Sequence, residues 1–263
     1  MEDKTIEVTR YNESLYEGRE LVSLGSLTAY DHLYNMCKHV RNKSHSGSGY
    51  INPITPRLEY IMQSLGAMGI DWKISFLDAH NNVLTSSGKK LANIIVEFKS
   101  DMNYASTVVF SAHHDIANPS SENCQDNTAS VCNLIELCSL LQNTPSEDLA
   151  HNVVIAFTDC EEIGGKGMNK LVEEIKEGIY GDVELMYALE LTACGDKYWI
   201  QGAEDDTELF KLLEDSIKDG ELTKVNTPYN ESVNARRNML DACCIGILTE
   251  DELESVNSRG YCG

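Results

Sequence analysis

Residues 106–115 read STVVFSAHHD. Thr107 to Phe110 are β-branched and aromatic, the composition of a buried strand, and the run stops abruptly on His113, His114 and Asp115. The pattern recurs twice downstream. HNVVIAFTD (151–159) is an apolar run that leads straight into Cys160, Glu161 and Glu162, and ELMYALEL (184–191) carries Glu190 among apolar neighbours. In open α/β sheets the ligand crevice lies beyond the carboxyl ends of the strands. Three strand ends that carry imidazole and carboxylate therefore point at one place.

The rest of the chain supplies the scaffold for those strands. NIIVEF (93–98), WKISF (72–76), KYWIQG (197–202) and CCIGIL (243–248) read as further strands. Helical spacing appears at Leu27, Tyr30, Leu33, Tyr34, Cys37 and Val40, with Ser26 or Thr28 as cap, and again at Leu58, Ile61, Met62 and Leu65. ASVCNLIELCSLLQ (129–142), GMNKLVEEIKE (167–177) and DTELFKLLEDSIKDG (206–220) are the other helices. NKSHSGSGYINP (42–53) and NNVLTSSGKK (81–90) have turn composition. Strands alternating with helices predict an α/β fold with a mixed, mostly parallel central sheet flanked by helices on both faces. Residues 1–25 read as a polar lead-in with weak structure, and 26–263 as a single domain.

Composition narrows the function. Hydrophobic residues make up 42% and charged residues 24% of 263 positions, as in an ordinary globular protein. A chain this long buries a core without metal staples, so a metal site in it reads as catalytic. The 42 acidic against 21 basic side chains give a net charge of −21, which repels phosphate backbones and anionic lipid. Neither nucleic acid nor a membrane is expected as a partner. Oligomeric state is left open. The nine cysteines are odd in number, include no Cys-x-x-Cys, and follow no apolar leader, which points to a reduced, cytoplasmic setting.

Each site motif also has a bland reading. A lone His-x-Asp occurs by chance, and Asp126-Asn127 has even claims as an N-cap for the helix at 129–142. His114 and His151 read as packed or structural, Asp159 as a turn residue, and Met168 as core. Glu161-Glu162 is more specific, because paired acids after a buried strand crowd like charges unless a cation neutralises them. Imidazole with carboxylates suits zinc, with manganese or cobalt as alternatives.

FSAHHD (110–115), QDNTASV (125–131), FTDCEEIGGKG (157–167) and ALELTACG (188–195), taken in order, resemble the co-catalytic zinc aminopeptidase family. That family includes transferrin-receptor-like carboxypeptidases and glutaminyl cyclases. The resemblance runs from about residue 28 to 248, with successive gaps of 13 residues from His113 to Asp126, 35 from there to Glu161 and 29 from there to Glu190. It implies a zinc-exopeptidase-like (phosphorylase/hydrolase-like) fold that holds one zinc ion or a pair. By resemblance His113 ligates one zinc and Asp115 orients it. Asp126 bridges the two metals, Glu161 is the general base and Glu162 binds the second metal. Glu190 stands where the family usually has aspartate, completing the first site.

One departure matters. The family has a further histidine ligand beyond its Gly-Ile-Pro strand, which CCIGIL resembles, yet no histidine of this chain lies after residue 151. Either the chain ends short of that ligand or the natural protein lacks it. The first is expected, because a strand such as CCIGIL normally needs covering. The function implied is a zinc-dependent aminopeptidase acting on small peptides. Glutaminyl cyclisation and a peptidase-like binding protein are the alternatives.

Overall fold

The computed structural model describes residues 5–8, 20–38, 40, 56–76, 92–116, 122–162, 164–202, 208–217, 222–225 and 230–259. Chain order begins with β1 (Thr5–Val8), β2 (Glu20–Ser23), α1 (Ala29–Lys38), α2 (Pro56–Ala67), β3 (Lys73–Phe76), β4 (Ala92–Phe98) and β5 (Thr107–His113). It continues with α3 (Ala129–Gln142), β6 (Asn152–Thr158), α4 (Lys166–Lys176), β7 (Val183–Leu189) and β8 (Lys197–Gln201). The last elements are α5 (Glu208–Ser216), β9 (Leu222–Lys224), α6 (Glu231–Arg237), β10 (Ala242–Leu248) and α7 (Glu250–Arg259).

Eight strands form one mixed sheet in the order β3-β4-β6-β5-β7-β10-β8-β9. Its centre, β6-β5-β7-β10, is parallel, while β3, β4 and β8 join antiparallel to their inner neighbours. From β5 the chain crosses to β6 on one side, and from β7 it moves on to β10 on the other. The crevice at this reversal lies between the carboxyl ends of β5 and β7.

Side chains alternate between two layers along each strand. On β6, Val153, Ile155 and Phe157 join α1, α2 and α3, while Val154 and Ala156 join α4, α6 and α7. The helices meet the sheet through stripes of the expected period. On α4 the stripe is Met168, Leu171, Val172 and Ile175, all buried. On α2 it is Leu58, Ile61 and Leu65, each 0% exposed and contributing about 1.5–3 kcal/mol by burial. Thr28 and Asp31 cap α1 reciprocally, the Thr28 amide donating to Asp31 Oδ2 at 3.1 Å and the Asp31 amide to Thr28 Oγ1 at 3.3 Å.

Several expectations need amendment. The lead-in is not merely weak structure, since β1 and β2 pair as an antiparallel ribbon. β9, α6 and α7 carried no strong periodicity and were not anticipated. CCIGIL is an interior strand between β7 and β8, so its edges are paired and the reason given for covering it does not hold. The turn regions 42–53 and 81–90 lie outside the described residues. On the sheet face away from α6 and α7, Phe110 packs against the α1, α2 and α3 layer. Phe110 stacks on Tyr187 at 5.1 Å there, and both side chains stay half-buried.

Among the described residues no helix is long and apolar enough to cross a membrane, and the eight described cysteines carry free thiols.

Candidate metal centre

Strand register brings the site together. His113 closes β5 opposite Thr158 of β6, and Ser111 pairs with Ala188 of β7, so Glu190, two residues on, comes level with His113. The imidazole is 1% exposed; its Nε2 lies 3.4 Å from Glu190 Oε1 and 3.1 Å from Asp126 Oδ1. Its other nitrogen, Nδ1, sits 3.3 Å from Asp115 Oδ1. Asp115 also accepts the backbone N–H groups of Glu161 at 3.0 Å and Glu162 at 3.2 Å. One buried carboxylate thus orients the imidazole and fixes the turn that carries both glutamates.

The strands release the chain sharply at these points. Cys160 (φ 59°) and Leu191 (φ 55°) adopt the left-handed conformation directly beside Glu161 and Glu190. Such backbone costs roughly 1–2 kcal/mol per residue and is kept where neighbouring structure over-determines it. Gly246 of β10 lets the Glu190 carbonyl approach, since a Cβ there would meet that oxygen at 1.9 Å.

Asp126 arrives differently. It sits in a single wide turn, Cys124–Thr128, ahead of α3, with extended backbone (φ −116°, ψ 97°) and a cis peptide to Asn127. It is therefore not the N-cap of α3; Thr128 holds that position without a side-chain cap bond. The Asn127 amide donates to the Leu189 carbonyl at 2.8 Å, tying the turn to the end of β7. The Asp126 side chain itself is 51% exposed.

The electrostatics show an acid surplus. Burial pushes Glu190 up to about 7, opposed by His113 and reinforced by Asp126 and Glu231. Burial likewise pushes Glu161 up to about 8, again opposed by His113 and reinforced by Glu190, Glu231 and Asp115. Burial works against protonation of His113, yet Glu190, Asp115 and Asp126 prevail and hold it well above its ordinary value. One imidazole among so many carboxyl groups is a cation-deficient arrangement.

The donor set fits zinc. Ligand atoms of His113, Asp126 and Glu162 all lie within 4.8 Å of one another, and Glu190 adds a fourth donor on the imidazole. Nitrogen and oxygen ligands on a tetrahedral zinc with bonds of about 2.0–2.2 Å stand about 3.3–3.6 Å apart. The 3.1 and 3.4 Å separations around His113 Nε2 are close to that. A ligand atom of Glu162 thus lies within 4.8 Å of those of His113 and Asp126.

The remaining sequence candidates sit apart. His114 Nε2 points to the Ala92 carbonyl at 3.0 Å, and His151 Nδ1 lies 2.9 Å from Ser106 Oγ. Asp159 accepts the Cys160 amide at 2.8 Å, and Met168 is core. Sequence reasoning missed Glu231, which is 1% exposed at the start of α6. Ser111 Oγ donates to it at 2.8 Å, and so does Thr158 Oγ1. Burial raises its carboxyl despite His113 nearby. The available signal was Asn230, whose side chain caps α6 by accepting the Ser232 amide at 3.0 Å.

Comparison with known proteins agrees with this architecture. No curated protein matches in sequence. Among solved structures, LapA aminopeptidase of Legionella pneumophila superposes with a TM-score of 0.64 at 12% identity, over 84% of this chain and 61% of that one. A glutaminyl cyclase of Porphyromonas gingivalis gives 0.67 at 12% identity, over 89% and 85%. BSAP, a zinc aminopeptidase from Bacillus subtilis, gives 0.53 at 15% identity, over 66% and 44%. At these identities the likeness is one of fold, and the chain spans less than two thirds of the two aminopeptidases. The profile of peptidase family M28 matches residues 93–238, which hold His113, Asp126, Glu161, Glu162, Glu190 and Glu231. The chain belongs to peptidase family M28.

Proposed function

We propose that this chain is a zinc-dependent exopeptidase, an aminopeptidase that removes N-terminal residues from small peptides. The observation that carries the reading is the convergence on His113 Nε2 of Asp126 at 3.1 Å and Glu190 at 3.4 Å, with Glu162 in the same group. His113, Asp126, Glu162 and Glu190 would hold the metal. Bound zinc supplies Lewis acidity toward a peptide carbonyl and activation of water at neutral pH.

The chain's own residues do the rest. Asp115 keeps the imidazole oriented with Nε2 toward the donors, as supporting carboxylates of metal-binding histidines do. Glu161 is the general base: half-buried beside the donor set, it takes a proton from the attacking water and returns it to the leaving amine. Its backbone amide is tethered to Asp115 at 3.0 Å, which fixes the turn that presents it. The acidic balance favours the cationic N-terminus of a free peptide as the recognised group.

Release of nitroaniline from aminoacyl-nitroanilides by the zinc-loaded protein tests the reading, and an inactive zinc-loaded, full-length protein would sink it. Glutaminyl cyclisation is a second reading, favoured by the 85% coverage of the cyclase chain. Incubation with an N-terminal glutamine peptide separates the two, since cyclisation loses ammonia and leaves every peptide bond intact.

A further inference from the structure

Asp126 is the most exposed donor of the centre, yet its carboxylate must stand within bonding reach of a metal shared with a buried histidine. Half of its own side chain is open to solvent, so its position depends largely on the backbone to either side. On one flank Asn127 is tied to Leu189. Next to it Thr128 is 0% exposed, and its hydroxyl reaches back across the turn to donate to the Asn123 carbonyl, on the other flank of Asp126, at 2.6 Å. That hydroxyl in turn accepts a bond from Arg57 Nη2 at 2.7 Å.

Arg57 comes from the first turn of α2, far away in sequence, and is 0% exposed. While Nη2 reaches Thr128, its Nε donates to the His114 carbonyl at 2.8 Å, between His113 and Asp115. The guanidinium thus bridges the segment carrying the imidazole and the turn carrying Asp126. Its rigid fork suits two acceptors in separate segments, whereas a lysine concentrates its donors on one nitrogen. Burying an arginine fully costs several kcal/mol unless charge and hydrogen bonds compensate it. Core packing alone would be met more cheaply by an apolar side chain of the same volume.

We propose that Arg57 is a positioning residue of the metal centre: its buried guanidinium locks the 123–128 turn to the end of β5 and so sets where the Asp126 carboxylate stands relative to His113. The proposal rests on the zinc reading above for its consequence, though not for the lock itself.

Three variants of the full chain test it: Arg57→Lys, Thr128→Val and Thr128→Ser. Zinc affinity is read by competition with a chromophoric chelator, and the lock by hydrogen exchange of the 124–128 amides in metal-free protein. Arg57→Lys and Thr128→Val should each lose about 10–100-fold in zinc affinity, as supporting partners of metal ligands do. Exchange in 124–128 should rise at least ~10-fold in both. Thr128→Ser keeps the hydroxyl and should match the parent in both readouts. If Arg57→Lys fails to fold, Thr128→Val decides, because it removes the acceptor of the Arg57 bond, together with the hydroxyl's own bond to Asn123. Unchanged affinity and exchange in Thr128→Val overturn the proposal. So does exchange raised uniformly across α2 and α3, the mark of general loosening. If the parent binds no zinc, the zinc reading fails, and exchange decides the lock alone: a selective rise in 124–128 sustains it, no rise overturns it.

Discussion

The two sides of the candidate centre are held by different means. His113 and Glu190 are 1% and 9% exposed, and each is set by strand register at the end of a parallel strand. Asp126 is half-exposed and is set by a turn that Asn127, Thr128 and Arg57 pin to two strand ends. The buried side is placed by the sheet, while the open side is placed by hydrogen bonds from residues remote in sequence. Changes on the first side should therefore alter stability as well as metal binding. On the second they should move metal binding with little cost to the fold.

The largest expected effect is chemical and belongs to neither side. Glu161→Gln should lower kcat by about 10²–10⁴-fold with zinc affinity unchanged, since a general base contributes that much without holding the metal. Loss of zinc along with activity would make Glu161 a donor instead.

Next comes the contrast itself. Asp126→Asn should weaken zinc binding by ~10-fold or more while metal-free stability stays within about 0.5 kcal/mol of the parent, as for an exposed side chain. Glu190→Gln should weaken zinc binding too, but it should raise the metal-free Tm at pH 8. Glu190 and Glu161 are held up at about 7 and about 8 in the fold against an ordinary value of 4.5. The folded chain keeps protons that the unfolded chain has released, so this contribution is full below the ordinary value and is lost as pH rises through the folded values. Metal-free protein should accordingly melt lower at pH 8 than at pH 5, and zinc should reverse the trend. A Tm independent of pH, or Glu190→Gln without effect at pH 8, would erase the distinction between the two sides.

Gly246→Ala attacks the buried side through its backbone. A methyl group 1.9 Å from the Glu190 carbonyl must push β10 and β7 apart, at a cost of about 1–3 kcal/mol or more, read as a lower Tm. The smallest effect is expected at Lys38, whose ion pair with Glu122 lies at the rim of the Asp126 turn, with side chains 44% and 40% exposed. Lys38→Ala should change stability by less than about 1 kcal/mol in a urea titration. A larger loss would mean that the open side is held from the surface as well as by Arg57.

The same contrast explains what was legible in the sequence. His113, Glu161, Glu162 and Glu190 stood out because they interrupt or terminate apolar runs, and such runs also reveal the sheet. Asp126 was legible only through the family resemblance, since Asp-Asn before a helix has an ordinary capping explanation. Arg57 carried no local signal, and Glu231 only the capping Asn230 before it. A basic residue in the first turn of an amphipathic helix and an acid after Asn230 are routine on a surface. Only the tertiary packing buries them against His114, Thr128, Ser111 and Thr158. β9, α6 and α7 were missed for a related reason: they are short or strongly polar, and the sheet specifies them more than their own periodicity does.

The most direct measurement is calorimetric titration of zinc into the metal-free protein at pH 7.5, with His113→Ala alongside and circular dichroism to verify its fold. The expected result is stoichiometric zinc binding by the parent, at least ~100-fold weakened in His113→Ala, because the imidazole is the one donor every other carboxylate faces. No zinc binding by the parent, or equal binding by a folded His113→Ala, would contradict the assignment of this centre.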